Sequence, residues 1–332
     1  MKIAKYLMPL LVFSLNTFAA NINFQIDSIV QNYVAKAKNG ITTGHRSGIT
    51  SLQIKKLKEP ETDNCISDSI DKPGLDLTKW KNKEDKEYAI QNEELKTSII
   101  NKLKDQLLSY GNFSYSFSPS DGRFEFNRND LKMKDDGTFE FLGNKLDSLN
   151  LLTIADDILI NLKIFNGHVE FGNTIKGILN GEIYQLTARY RRIFRGGIVL
   201  GDVSYLSVQL SSTGELISIS GRWPKFVSNG KDEEAIDIEE GLDLATEFYQ
   251  TDFNGTKAVV DDEQIEPTGA RLVGIALAWQ PMRLDTTSSA PPSLLTPCYA
   301  TRANVTLKNG DVAPHFFSFP RLSKYANAIR NN

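Results

Sequence analysis

The sequence predicts an α+β fold of tandem modules, each a helix packed on a curved antiparallel sheet. Three observations across the 332 residues carry that expectation. Segments with apolar residues at helical spacing are followed by segments in which apolar and small polar residues alternate. Turn pairs such as Asp121-Gly122 and Asn309-Gly310 punctuate the alternating segments, as antiparallel hairpins require. The units recur about three times, at Asn92–Leu142, Ser148–Phe226 and Glu233–Pro320, with a spacing too unequal for a solenoid.

The chain begins with Lys2 and Lys5, an apolar run from Tyr6 to Phe13, and small residues at Ala19 and Ala20. This is the pattern of a secretory signal peptide, so residues 1–20 are expected to be removed and the protein to be secreted or periplasmic. Its loss would take the formal charge from −3 to about −5. Ile26, Ile29, Val30, Tyr33, Val34 and Ala37 then share a helical face that Asn39-Gly40 ends. The polar stretch from Ile41 to Glu87 reads as a long irregular connection, which completes a segment 21–91.

Leu95, Ile99, Ile100, Leu103, Leu107 and Leu108 predict the second helix, all on one face. Hairpins follow in "FSYSFSPSDGRFEF" and around Asp136-Gly137, giving a module over 92–147. Leu151, Ala155, Ile158, Leu159 and Leu162 open the next module, 148–232, with strands at about Ile183–Phe194, Gly201–Leu210 and Glu215–Gly221. Ile238, Leu242, Ala245 and Tyr249 open the last, 233–332, whose strands lie at about Ala270–Trp279, Pro297–Leu307 and Val312–Phe319. Such helix-on-sheet modules are of the cystatin-like kind.

Composition narrows the function. With 24% charged residues and no basic excess, nothing points to nucleic acid. After the leader no stretch approaches 18 consecutive apolar residues, so no membrane span is expected and the mature protein should be soluble. His45, His168 and His315 stand apart from one another and from any HExxH or Cys-His spacing, so neither a zinc centre nor another cofactor is expected. "GHRSG" at Gly44–Gly48 has its serine in the wrong slot for a nucleophile elbow, and no loop matches a phosphate-binding motif. No residue is expected to be catalytic. An export signal with only Cys65 and Cys298 favours a single disulfide between them.

Two features remain for binding. "RYRRIFR" puts Arg189, Arg191 and Arg195 on one strand face, either an anionic-partner surface or a charged face that resists aggregation. In the serine-rich hairpin, Ser207 lies between Leu206 and Val208, and Ser218 between Ile217 and Ile219. Alternation therefore puts both serines on the solvent face, opposite the core. The loop Pro281–Ser293 is the fallback candidate.

Gly201, Val203, Leu206, Val208, Leu210, Gly214, Leu216, Ile217, Ile219 and Gly221 resemble the final hairpin of the PepSY/propeptide modules of secreted metalloprotease precursors. Ala278-Trp279 and Thr296-Pro297 are similar in outline to the corresponding strands of a second such module, so the resemblance covers about Leu149 to Pro320. No metalloprotease domain is expected to follow. The resemblance implies a non-catalytic role on an exported partner, such as inhibiting or chaperoning a protease. The rival expectation is a virulence or surface-interaction factor, adhesin or toxin-like, that acts on a host surface component or glycan.

Overall fold

Residues 23–38, 84–132, 140–141, 143–163, 165, 169–179, 181–195, 197–230, 232–250, 258–260, 263–265, 267–282 and 293–330 are described by a computed structural model. Their elements run β1 (Asn23–Ile26), α1 (Ser28–Lys38), β2 (Glu84–Asp85), β3 (Tyr88–Gln91), α2 (Thr97–Leu107), β4 (Phe113–Ser118) and β5 (Arg123–Arg128). Next come α3 (Ser148–Asn161), β6 (Val169–Leu179), β7 (Glu182–Phe194), β8 (Gly197–Val199), β9 (Tyr205–Ser211), β10 (Leu216–Arg222), β11 (Lys225–Ser228) and β12 (Glu233–Glu234). The last are α4 (Ile238–Gln250), β13 (Ala258–Val260), β14 (Glu263–Ile265), β15 (Pro267–Met282), β16 (Leu294–Leu307), β17 (Val312–Pro320) and α5 (Ser323–Arg330).

They form two compact units. Among the described residues the first draws on 23–38, 84–89 and 228–330, the second on 90–227. In the second unit six strands follow the order β6-β7-β9-β10-β5-β4, every neighbouring pair antiparallel, and β8 folds back on the end of β7. Leu103 and Leu107 of α2 and Leu151, Ala155 and Ile158 of α3 pack on one face of this sheet. They meet Phe124, Phe126, Leu186, Leu206, Val208 and Ile219, each a step of two along its strand. Asp147 caps α3 by accepting from the Asn150 N–H at 2.8 Å. Gly221 is needed where β9 and β10 meet: a Cβ there would lie 2.4 Å from the Tyr205 carbonyl oxygen.

The first unit is built on β15 and β16, with β17 beyond β16, the Tyr88–Ala89 end of β3 against Leu294–Leu295, and β1 parallel to β15. Val30 and Val34 of α1 and Leu244, Ala245 and Tyr249 of α4 cover Leu272, Ile275, Tyr299 and Phe319. A capping box starts α4: Asp237 accepts from the N–H groups of Glu239 and Glu240 at 3.0 Å, and Glu240 accepts from the Asp237 N–H. A network of charges ties Glu84–Glu87 to the C-terminal helix. Buried Glu87 accepts from Tyr325 (2.8 Å), Lys324 (3.0 Å) and Thr296 (3.3 Å), while Arg321 pairs with Asp85. Burial works against the Lys324 ammonium, but the carboxylates of Glu233 and Glu87 outweigh it and raise its pKa.

The expected α+β architecture of tandem helix-plus-meander modules, cystatin-like or PepSY-like in shape, is not what the chain adopts. Strand residues outnumber helical ones and the protein is mainly β. The strands expected in modules 92–147 and 148–232 share one sheet, because β5 pairs with β10 on one side as well as with β4 on the other. Periodicity in sequence reports which residues alternate and is silent on which strand lies alongside. Glu84–Asp85, inside the stretch expected to be irregular, is a strand, as are Tyr88–Gln91 and Val169–Leu179, where none was expected, and the chain beyond β17 forms α5. Residues 1–20, His45, Gly44–Gly48, Cys65, Asp136-Gly137 and His168 lie outside the described residues.

His315 on β17 lies among Phe248, Phe317 and Tyr249, whose hydroxyl is 3.0 Å from Nδ1. Burial lowers its pKa. The folded state therefore resists protonation that the unfolded chain accepts, so stability should fall as pH drops through about 6.5 toward the lower folded value. Urea unfolding at several pH values should show this loss, and His315→Phe should flatten the profile over that window.

Candidate functional site

Arg189, Arg191, Ser207 and Ser218, four of the five residues the sequence offers for binding, lie on the face of the six-stranded sheet that turns away from α2 and α3. Pairing fixes the rows of this face. Ser218 stands opposite Gln209 and Asn127, Ser220 opposite Ser207 and Glu125, and Arg222 opposite Tyr205 and Arg123. Ser207 and Tyr205 stand in turn opposite Arg189 and Arg191 of β7, and β4 adds Ser114, Ser116 and Ser118. The result is a platform of hydroxyl, amide, carboxylate and guanidinium groups with Tyr205 among them, the aromatic residues of β4 and β5 lying on the other face.

The serines differ from the expectation in one respect. They do face away from the core, but Ser207 and Ser218 are only 7% and 8% exposed. Their rows are filled by Tyr205, Gln209, Arg189 and Arg222, whose longer side chains rise above a serine hydroxyl. Ser218 donates to Gln209 Oε1 at 2.9 Å. Other serines of the hairpin shape backbone: Ser211 Oγ accepts from the N–H groups of Thr213 (3.2 Å) and Glu215 (3.0 Å), and Ser204 donates to the Arg222 carbonyl. The accessible part of the platform is therefore its rim, Ser114, Ser116, Arg123, Asn127, Asn173 and Ile175, together with half-buried Ser220, Thr187 and Gln209.

The arginine run also separates. Arg189 and Arg191 share the platform, whereas Arg195 lies past the end of β7, with φ 44°, where the chain reverses into β8. Arg189 stacks on Tyr205 at 4.3 Å and pairs with Asp202 at 3.3 Å, and Arg222 pairs with Asp121 at 3.1 Å. Burial, then the neighbouring Arg189 charge, lowers the Arg191 pKa against the pull of Asp202. The face is thus charge-compensated rather than basic, which suits a polar, largely neutral partner surface better than a polyanion.

Arg192, between them in sequence, points to the core side and is fully buried. Its guanidinium lies 4.4 Å from the rings of both Trp223 and Phe226 and donates to the Pro224 carbonyl at 2.7 Å. Nε and Nη2 find no hydrogen-bond partner among the described residues. Nothing in the spacing of "RYRRIFR" marks this arginine as different from its neighbours; only the parity of β7 does. Cys298 is buried in β16 opposite Ala278 and Pro320, and burial raises its thiol pKa, while its expected partner Cys65 lies outside the described residues.

Among the described residues no three His, Cys, Asp or Glu side chains are placed to hold a metal, and no helix is long and apolar enough to cross a membrane. No protein-family model and no curated protein matches the chain. Among solved structures it is similar to an uncharacterized protein from Eubacterium rectale, with 8% identity and a TM-score of 0.40 over 73% of this chain and 84% of that one.

Proposed function

We propose that this is an exported, non-catalytic protein-binding protein whose partner packs on the polar face of the six-stranded sheet. The observation that carries the reading is the charge-compensated platform of Ser, Gln, Thr and paired Arg side chains, bounded by edge strands β4 and β6. Such a face offers many hydrogen-bonding groups without the like-charge cost of a basic strip. The hairpin's resemblance to PepSY/propeptide modules favours an exported enzyme, such as a protease, as the partner. A glycan-binding or adhesin role is less well supported, because Phe113, Tyr115 and Phe117 pack toward the core and Tyr205 is covered by Arg189. Bare stacking rings are what a sugar surface needs.

The test is capture of exported proteins by the immobilised chain, with mass spectrometry of what binds and affinity measurement of the identified partner. Ser220→Arg and Thr187→Arg place bulk on half-buried face positions that the core does not use. Both should weaken that partner at least about tenfold while shifting stability by less than about 1 kcal/mol. Unchanged affinity would move the binding site off this face, with the Pro281–Ser293 segment the next place to look.

A further inference from the structure

The two edges of the six-stranded sheet are built differently. Strand β6 pairs only with β7 among the described residues, and it carries register shifts at Phe171/Asn173 and Gly177/Ile178 as well as exposed Lys176. Bulges and an edge lysine are the usual guards against strand addition. Strand β4, which pairs only with β5 among the described residues, has neither. It pairs with β5 over six unbroken positions, Phe113↔Arg128 to Ser118↔Arg123, and its sequence, Phe-Ser-Tyr-Ser-Phe-Ser, holds no charge and no proline.

The outward hydrogen-bonding groups of β4 can be assigned. Asn112, the residue before the strand, accepts from the Asn129 N–H at 2.9 Å, so the 112/129 pair is a hydrogen-bonded one. By alternation, Ser114 and Ser116 bond to β5, and the N–H and C=O groups of Phe113, Tyr115 and Phe117 point away from it. The segment Phe113–Phe117 is also a palindrome about Tyr115. A second copy laid antiparallel puts Tyr115 opposite Tyr115, Phe113 opposite Phe117, and Ser114 opposite Ser116.

We infer that β4 is a homodimerisation edge, and that its occupant is β4 of a second copy of this chain in antiparallel register about Tyr115. In that register the outward groups of Phe113, Tyr115 and Phe117 all find partners. The aromatic side chains, half-buried in one copy, continue each other's apolar face, and the serines continue the polar face. No charged residue of β4 meets a like charge, because the strand has none; charge complementarity is met by neutrality on both sides. Leu108, 66% exposed at the end of α2, which packs on β4, adds apolar surface beside this edge. The contact is isologous and closes at two copies, since pairing consumes the edge of each.

Sedimentation equilibrium of the purified chain tests this. The wild type should be a dimer at micromolar concentration. Ser114→Lys with Ser116→Lys puts Lys opposite Lys twice, on side chains that are exposed in the single copy, and should weaken dimerisation roughly tenfold or more. Ser114→Glu with Ser116→Glu should do the same, and mixing the two doubly substituted chains should restore a dimer. As a check independent of charge, Ser114→Cys chains mixed with Ser116→Cys chains should oxidise to a covalent pair, and neither should do so alone. A monomeric wild type, a lysine-substituted chain that dimerises as well as the wild type, or a mixture that stays monomeric would each overturn the inference.

Discussion

Arg192→Ala should cost about 3–5 kcal/mol, the range for emptying a large buried site. The side chain is fully buried, its guanidinium is sandwiched between Trp223 and Phe226, and its hydrogen bond to the Pro224 carbonyl fixes the turn out of β10. Removing it leaves two rings without a filling between them and an unpaired carbonyl. The companion variants separate shape from charge. Burial disfavours the charged form of Arg192, so Arg192→Met, which keeps the volume and gives sulfur to the rings, should recover most of the loss. Arg192→Lys keeps the charge but has no planar group to stack and a more tightly hydrated head, so it should recover less. Urea midpoints followed by tryptophan fluorescence give the order. If Lys restores more than Met, the charge itself stabilises the site, and the packing argument is wrong.

The second large effect is expected at Arg321. It is 1% exposed, pairs with Asp85, and lies over the Tyr299 ring at 6.0 Å. Its backbone is held as well, the N–H donating to the Pro297 carbonyl at 2.9 Å and the C=O accepting from the Ile236 N–H at 2.8 Å. Arg321→Ala leaves the largely buried Asp85 carboxylate without its guanidinium and should destabilise the first unit by about 3–5 kcal/mol. Combining Arg321→Met with Asp85→Leu removes both charges and should recover much of that loss, since the desolvation cost disappears with the attraction. A double variant no better than Arg321→Ala would show that the loss comes from geometry at β2 and not from an orphaned charge. Thermal unfolding of the three variants at one pH decides it.

These two arginines show where sequence reasoning stops. Arg192 sits in an arginine-rich run and Arg321 just after the apolar end of β17, yet both are buried against aromatic rings contributed from elsewhere in the chain: Trp223 and Phe226 for Arg192, Tyr299 for Arg321. Parity along β7 does set Arg192 apart from Arg189 and Arg191, because Leu186, Ala188 and Tyr190 mark the core side two residues at a time. The rings that enclose it could not be read that way.

Local patterns determined a good deal by themselves. The apolar stripes of α2, α3 and α4, the hairpin of β4 and β5, the hairpin of β9 and β10, and the last three long strands all follow from spacing and turn residues, since those signals lie within a few positions of one another. Strand β6 was missed because Gly172 and Gly177 interrupt it and both its faces carry polar residues, as an edge strand tolerates. Strands β1 and β3 are too short to show a period. Tertiary structure alone decided that β5 pairs with β10 across about ninety residues of chain. It also decided that Ser207 and Ser218 lie below their neighbours, and that Arg189 is paired with Asp202 and Arg222 with Asp121. The reason is physical: alternation assigns a side chain to a face, but its exposure and its net field are set by residues on other strands, whose arrival beside it no local pattern encodes.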